Sequence, residues 1–104
     1  MTKKQQGIDI TEKQWEAQVK DLAAMFGYLY YHTWRSFHSP AGFPDCVMVR
    51  DSRVIYAELK AEGKQCSAEQ YEWLLALHEA ELAGKCEVYL WWPSDFDDIV
   101  VILR

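Results

Sequence analysis

Two apolar segments, "DCVMVR" and "VIYAELK", flank the polar "DSR", and no other feature of the sequence restricts the fold as much. Their β-branched and aromatic residues around a short polar spacer read as a β-hairpin, although Asp-Ser is a weaker turn signal than Asp-Gly. If the hairpin closes through Asp51-Ser52, paired positions sum to 103, which sets Asp45 opposite Glu58 with Cβ atoms about 5 Å apart. Alternation along the second strand puts Glu58 and Lys60 on one face, roughly 7 Å apart, and Ile55, Ala57 and Leu59 on the other. Asp45, Glu58 and Lys60 then converge. A three-residue turn would send Asp45 to the opposite face, so the convergence depends on register.

Two carboxylates that close repel one another unless a proton or cation lies between them, and Mg²⁺ is the hard, oxygen-seeking ion such a pair would hold. A lysine beside them suits positioning a water or stabilising charge on a phosphate. The competing reading is an exposed hairpin whose ion-pair cluster contributes little. Against it stand the apolar neighbours of Glu58 in sequence and the tight approach through "GFP".

With 104 residues, the chain fits one domain whose site must share its few elements with the core. Half the residues are hydrophobic, and five Trp and six Tyr argue for a packed globule. The net charge of −5 speaks against a nucleic-acid binder of the basic-patch kind. It is compatible with carboxylate-held cations acting on phosphodiesters, because the ions offset part of the negative charge. Three cysteines without a close pair suggest neither a disulfide framework nor a zinc site. There is no membrane-length apolar run and no signal-peptide core in "MTKKQQGIDITEK", so a cytoplasmic protein is expected.

Residues 1–10 read as an N-terminal arm and 11–104 as a single domain. Thr11 and Gln14 form a capping box ahead of a helix at about 11–26, with Trp15, Val19, Leu22 and Phe26 at helical spacing before Gly27. The aromatic-rich "YLYYHTW" reads as a strand, and "RSFHSPAGF" as an ordered loop. Ser67 caps a second helix with an apolar stripe of Tyr71, Leu74, Leu75 and Leu82, ending at Gly84. "EVYLWW" is a strand stopped by Pro93. "DFDDIVVILR" is either a terminal helix, the favoured reading, or, given its β-branched run, a strand.

Pro44-Asp45 followed by Glu58-Leu59-Lys60 resembles the PD-(D/E)XK nuclease signature. Together with "HSPAGFPD", "AELKAEGK", "SAEQYEWLLAL", "AGKCEVYLWWPSD" and "FDDIVVIL", it resembles the small stand-alone VRR-NUC nucleases of phages and bacteria from about Thr11 onward. The resemblance implies a restriction-endonuclease-like α/β fold, α-β-β-β-α-β with a short C-terminal helix and a mixed central sheet flanked by helices. It also implies Mg²⁺- or Mn²⁺-dependent hydrolysis of DNA phosphodiesters, leaving 5′-phosphates, by a homodimeric Holliday-junction resolvase.

By position, Asp45, Glu58 and the Leu59 carbonyl are the implied metal ligands and Lys60 the catalytic lysine. Glu12 matches the family's first-helix glutamate, with Glu16 as competitor. On a helical wheel with Trp15 at the origin, Glu12 falls near ~60° and Glu16 near ~100°, so Glu12 lies closer to the buried face. A first-turn acid is also what the helix dipole favours by itself. Gln70 matches a family position able to orient water or a phosphate oxygen, or is an ordinary helix-surface amide. Arg35, His38, Ser39 and Lys64 are candidates for contacting DNA. Trp91, Trp92, Tyr71 and Trp73 are read as core or dimer packing rather than base-stacking platforms. The alternatives are a silent nuclease-fold module that binds DNA or protein, and a nuclease of linear DNA ends or RNA.

Overall fold

The computed structural model describes residues 9–34 and 37–104; residues 1–8 of the expected arm, and Arg35, lie outside them. Thr11 accepts a hydrogen bond from the Gln14 N–H and donates its own N–H to the Gln14 side chain. This reciprocal cap starts α1, Glu12–Met25. The helix buries Trp15, Val19, Leu22 and Ala23, at the spacing expected for one face against a sheet.

Four strands follow the expected order: β1 (Leu29–His32), β2 (Cys46–Arg50), β3 (Arg53–Leu59) and, after α2 (Ala68–Leu82), β4 (Glu87–Trp91). They lie side by side in chain order, antiparallel from β1 to β3 and parallel between β3 and β4. The sheet is therefore mixed. The β2–β3 turn holds two residues, Asp51 at φ 48° and Ser52 at φ 71°, the left-handed pair that a tight hairpin requires. Cys46 faces Ala57 and Met48 faces Ile55, the register inferred from a two-residue turn.

Alternation gives the sheet two unlike faces. Cys46, Met48, Ile55, Ala57 and Leu59 are buried with the apolar side of α1 and with Ile99 and Leu103 of α3, Phe96–Leu103. The β-branched terminal run is thus helical. Pro93 opens a short 3-10 turn, Asp95 accepts the Trp92 N–H, and buried Ile99 and Leu103 stand one helical turn apart. Arg50 and Arg53, at the hairpin end, hold the helix ends to the sheet. Arg50 donates to the carbonyls of Phe26 and Leu103, and Arg53 to that of Ile102, to the Tyr28 hydroxyl and in a fork to Glu87.

α2 packs against β4, but not through the expected stripe. Tyr71, Leu75 and Leu82 are exposed, while Gln70, Trp73, Leu74, Leu77 and Glu81 are half-buried. Polar anchors at its two ends set the rotation of this helix: Gln70 donates to Glu58, and Glu81 accepts the Val88 N–H. Trp15 and Trp91 belong to the core, Trp73 and Trp92 are half-buried, and Trp34 is exposed. No helix among the described residues is long and apolar enough to cross a membrane.

Candidate active site

The sheet register brings Asp45 and Glu58 together where β2 begins and β3 ends. Thr33 fixes the approach, its N–H donating to the Asp45 carbonyl at 2.8 Å and its hydroxyl to that of Pro44 at 2.7 Å. Asp45 Oδ2 then accepts the Leu59 N–H at 2.8 Å. On the other side, Gln70 Nε2 donates to Glu58 Oε2 at 2.6 Å, while Gln70 Oε1 accepts the Ser67 N–H at 2.8 Å. The cap of α2 thereby fixes which end of the amide faces the carboxylate.

Gly42 makes this juxtaposition possible. At φ +99°, a Cβ there would lie 2.5 Å from the Glu69 carbonyl, so the loop leading to Asp45 meets the first turn of α2 backbone to backbone. Phe43, the next residue, packs edge-on against Tyr56 and Trp73, locking loop, β3 and α2 together.

Glu58 is 1% exposed, the one charged residue among the buried side chains of the described residues. Its Oε1 is buried without a hydrogen-bond donor, and its neighbour is the Asp45 carboxyl. Burial first, and then the charge of Asp45, push the Glu58 carboxyl up to about 8, with Lys60 opposing the shift. Burial also raises Asp45, against the pull of the Leu59 N–H, Glu58 and Lys60. The pair is reconciled by one shared proton, or by a cation that takes its place.

These donors fit a hard divalent cation. Each carboxylate has one oxygen tied to a protein donor, and the two carboxyls adjoin. Mg²⁺ tolerates a site with one or two carboxylates and several waters. Among the described residues no three His, Cys, Asp or Glu side chains are gathered closely enough to hold an ion, so the side chains that could hold one here are the pair alone, joined in sequence to the Leu59 carbonyl. Lys60 follows on the same face, half-buried, its N–H donating to the Trp91 carbonyl at 3.0 Å.

The two helix glutamates stand nearby in different ways. Glu12 is exposed in the first turn of α1, and its charge reaches Glu58. Glu16, one turn on, is the more buried, reversing the wheel order because its side chain reaches His32 of β1. It pairs with His32 Nδ1 at 2.7 Å, and its pKa is raised by burial and by the charge of Asp45. The sequence did not point to His32: its place beside Glu16 follows from the pairing of His32 with Cys46, which the long β1–β2 loop hides. His38 and Ser39 are exposed on that loop, and Lys64 is exposed between β3 and α2.

No family model matches the chain, and no curated protein does. Among solved structures it is similar to a "VRR_NUC domain protein", with TM-score 0.67 and 15% identity over 90% of this chain and 85% of that one. The order of strands, the capped helices on both faces and this superposition agree: the chain has the fold of a VRR_NUC domain.

Proposed function

We propose that the chain is a Mg²⁺- or Mn²⁺-dependent endodeoxyribonuclease that hydrolyses phosphodiesters of branched DNA as a homodimer. The observation that carries this reading is the buried Glu58 carboxyl set against that of Asp45. Two acids this close share a site only through a proton or a cation. When bound, the cation supplies Lewis acidity and offsets charge on the scissile phosphate.

The protein's own groups supply the rest. Asp45 and Glu58, with the Leu59 carbonyl, are the ligands. Gln70 and the Leu59 N–H hold the two carboxylates in place. Lys60, two residues from Glu58 on the same side of β3, orients the attacking water and stabilises charge developing on the phosphate. Glu12 and Glu16 border the site, and His38, Ser39 and Lys64 offer polar contacts to the flanking DNA backbone.

Support for a dimer comes from the outer face of the β1–β2 half of the sheet. Leu29, Tyr31 and Val49 are exposed there, on positions paired in register and opposite the face that α1 covers. An apolar patch of this kind suits a second copy related by a two-fold axis, which would hold two sites at a fixed separation. Cleavage of a four-way junction, a flap and a linear duplex, each with Mg²⁺ or with EDTA, tests the reading. Metal-dependent cutting of the junction alone supports it in full; cutting of linear duplex as readily removes branch selectivity, and no cutting of any DNA overturns it.

A further inference from the structure

An open cleft of about 320 Å³ is lined by Glu62, Gly63, Lys64 and Gln65 of the β3–α2 loop, Tyr71 of α2 and Trp92. Its position follows from the sheet. β3 and β4 run parallel with Leu59 beside Trp91, and the Lys60 N–H still donates to the Trp91 carbonyl. One step further on, Trp92 stands beside Lys60, about 5 Å away along the hydrogen-bonding direction. On the other wall, Tyr71 directly follows Gln70, whose amide touches Glu58. Both walls of the cleft are thus joined through the chain to residues next to the candidate catalytic centre.

Its walls are held in place. Trp92 Nε1 donates to the Lys64 carbonyl at 2.9 Å, which fixes the indole against the loop. Glu62 accepts from both the N–H and the hydroxyl of Ser94 at 2.9 and 3.0 Å, so both its oxygens are engaged by protein donors. What remains for a ligand is two partly exposed aromatic rings, the Lys64 ammonium and the Gln65 amide.

On this basis we propose that the cleft binds one unpaired nucleotide of the DNA strand, its base against Trp92 and Tyr71 and its phosphate toward Lys64. This inference rests on the nuclease reading for the identity of the ligand. Aromatic rings recognise the π-face of any base, and that face is hidden while the base is stacked in a duplex. The volume is at the low end of the roughly 300–1,000 Å³ of small-ligand sites, suited to one nucleotide and too small for a base pair. The cleft would thus direct the carboxylate pair to places where a strand leaves its partner, as at the crossover of a branched junction.

The test is equilibrium binding, by fluorescence anisotropy in EDTA so that nothing is cut, of labelled single-stranded dT10 and of a matched linear duplex to the wild type and to Trp92→Ala, Trp92→Phe and Tyr71→Ala. Removing one stacking ring should weaken dT10 binding by about 5- to 100-fold. Trp92→Phe should recover most of it, and duplex binding should change less than about threefold. Thermal melting of each variant verifies that it is folded; Tyr71, being exposed, keeps the test open if Trp92→Ala does not fold.

Unchanged dT10 affinity in both Tyr71→Ala and Trp92→Ala overturns the cleft as a base site, even if metal-dependent cleavage persists. Equal losses for duplex and single strand also overturn it. Competition by dTMP at the affinity of dT10 would overturn the strand assignment in favour of a free nucleotide. If the wild type cuts no DNA yet the ring variants lose dT10 selectively, the nuclease reading fails and the base site stands.

Discussion

The side-chain amide of Gln70 donates to Glu58 at 2.6 Å while its oxygen caps the N-terminus of α2. One residue therefore couples the start of a helix to the orientation of a buried carboxylate. Gln70→Ala removes the cap's second half and leaves the other Glu58 oxygen without its donor. It should cost about 1–3 kcal/mol in denaturant unfolding and weaken Mn²⁺ binding measured by calorimetry. Unchanged Mn²⁺ affinity would mean that Glu58 needs no orienting.

Without metal, stability should fall as pH rises. Glu58 has an ordinary carboxylate pKa near 4.5 when unfolded and is pushed up to about 8 in the fold, so its neutral form is the one the fold favours. That contribution is complete below about pH 4.5 and lost through pH 8. Asp45 is shifted in the same direction. Glu58→Gln should flatten the decline seen in urea titrations with EDTA between pH 5.5 and 9. Because a cation competes with the proton, Mn²⁺ affinity should rise over the same interval and its binding should release protons.

Asp45→Asn keeps an oxygen for the Leu59 N–H and, above about pH 8 where Glu58 ionises, removes one of two facing charges. There its melting temperature in EDTA should exceed that of the wild type. Mn²⁺ should raise the wild-type value by mass action and leave the variant nearly unmoved. An equal metal response in both would place the ion elsewhere.

Gly42→Ala tests whether the loop and α2 must touch. The added Cβ meets the Glu69 carbonyl at 2.5 Å from a backbone at φ +99°, so strain of about 1–3 kcal/mol is expected. The first turn of α2, and Gln70 with it, would shift. DNA cleavage should fall by more than the stability loss explains, as shown by assays well below the melting temperature.

The parts of the fold governed by local chemistry were legible in the sequence. The capping box at Thr11, the cap at Ser67, the two-residue turn at Asp51-Ser52 and the resulting Asp45–Glu58 approach depend on residues close in the chain, or on one register. What escaped was set by distant partners. The rotation of α2 follows from Gln70 reaching Glu58 and Glu81 reaching Val88, which override the stripe of Tyr71, Leu75 and Leu82. The Glu16–His32 pair depends on a β1–β2 register fixed across a loop whose length carries no register information, and the cleft at Trp92 on a parallel pairing between strands separated by a helix.

In the proposed mechanism Asp45 and Glu58 hold the cation, and Lys60 serves catalysis without helping to bind it. The Lys60→Ala variant separates these roles, with single-turnover cleavage of a four-way junction in Mn²⁺ measured beside Mn²⁺ calorimetry on the same preparation. The predicted result is a loss of more than about 100-fold in cleavage rate with Mn²⁺ affinity within a few-fold of wild type. Cleavage at the wild-type rate by that variant, or loss of metal binding in step with activity, would contradict it.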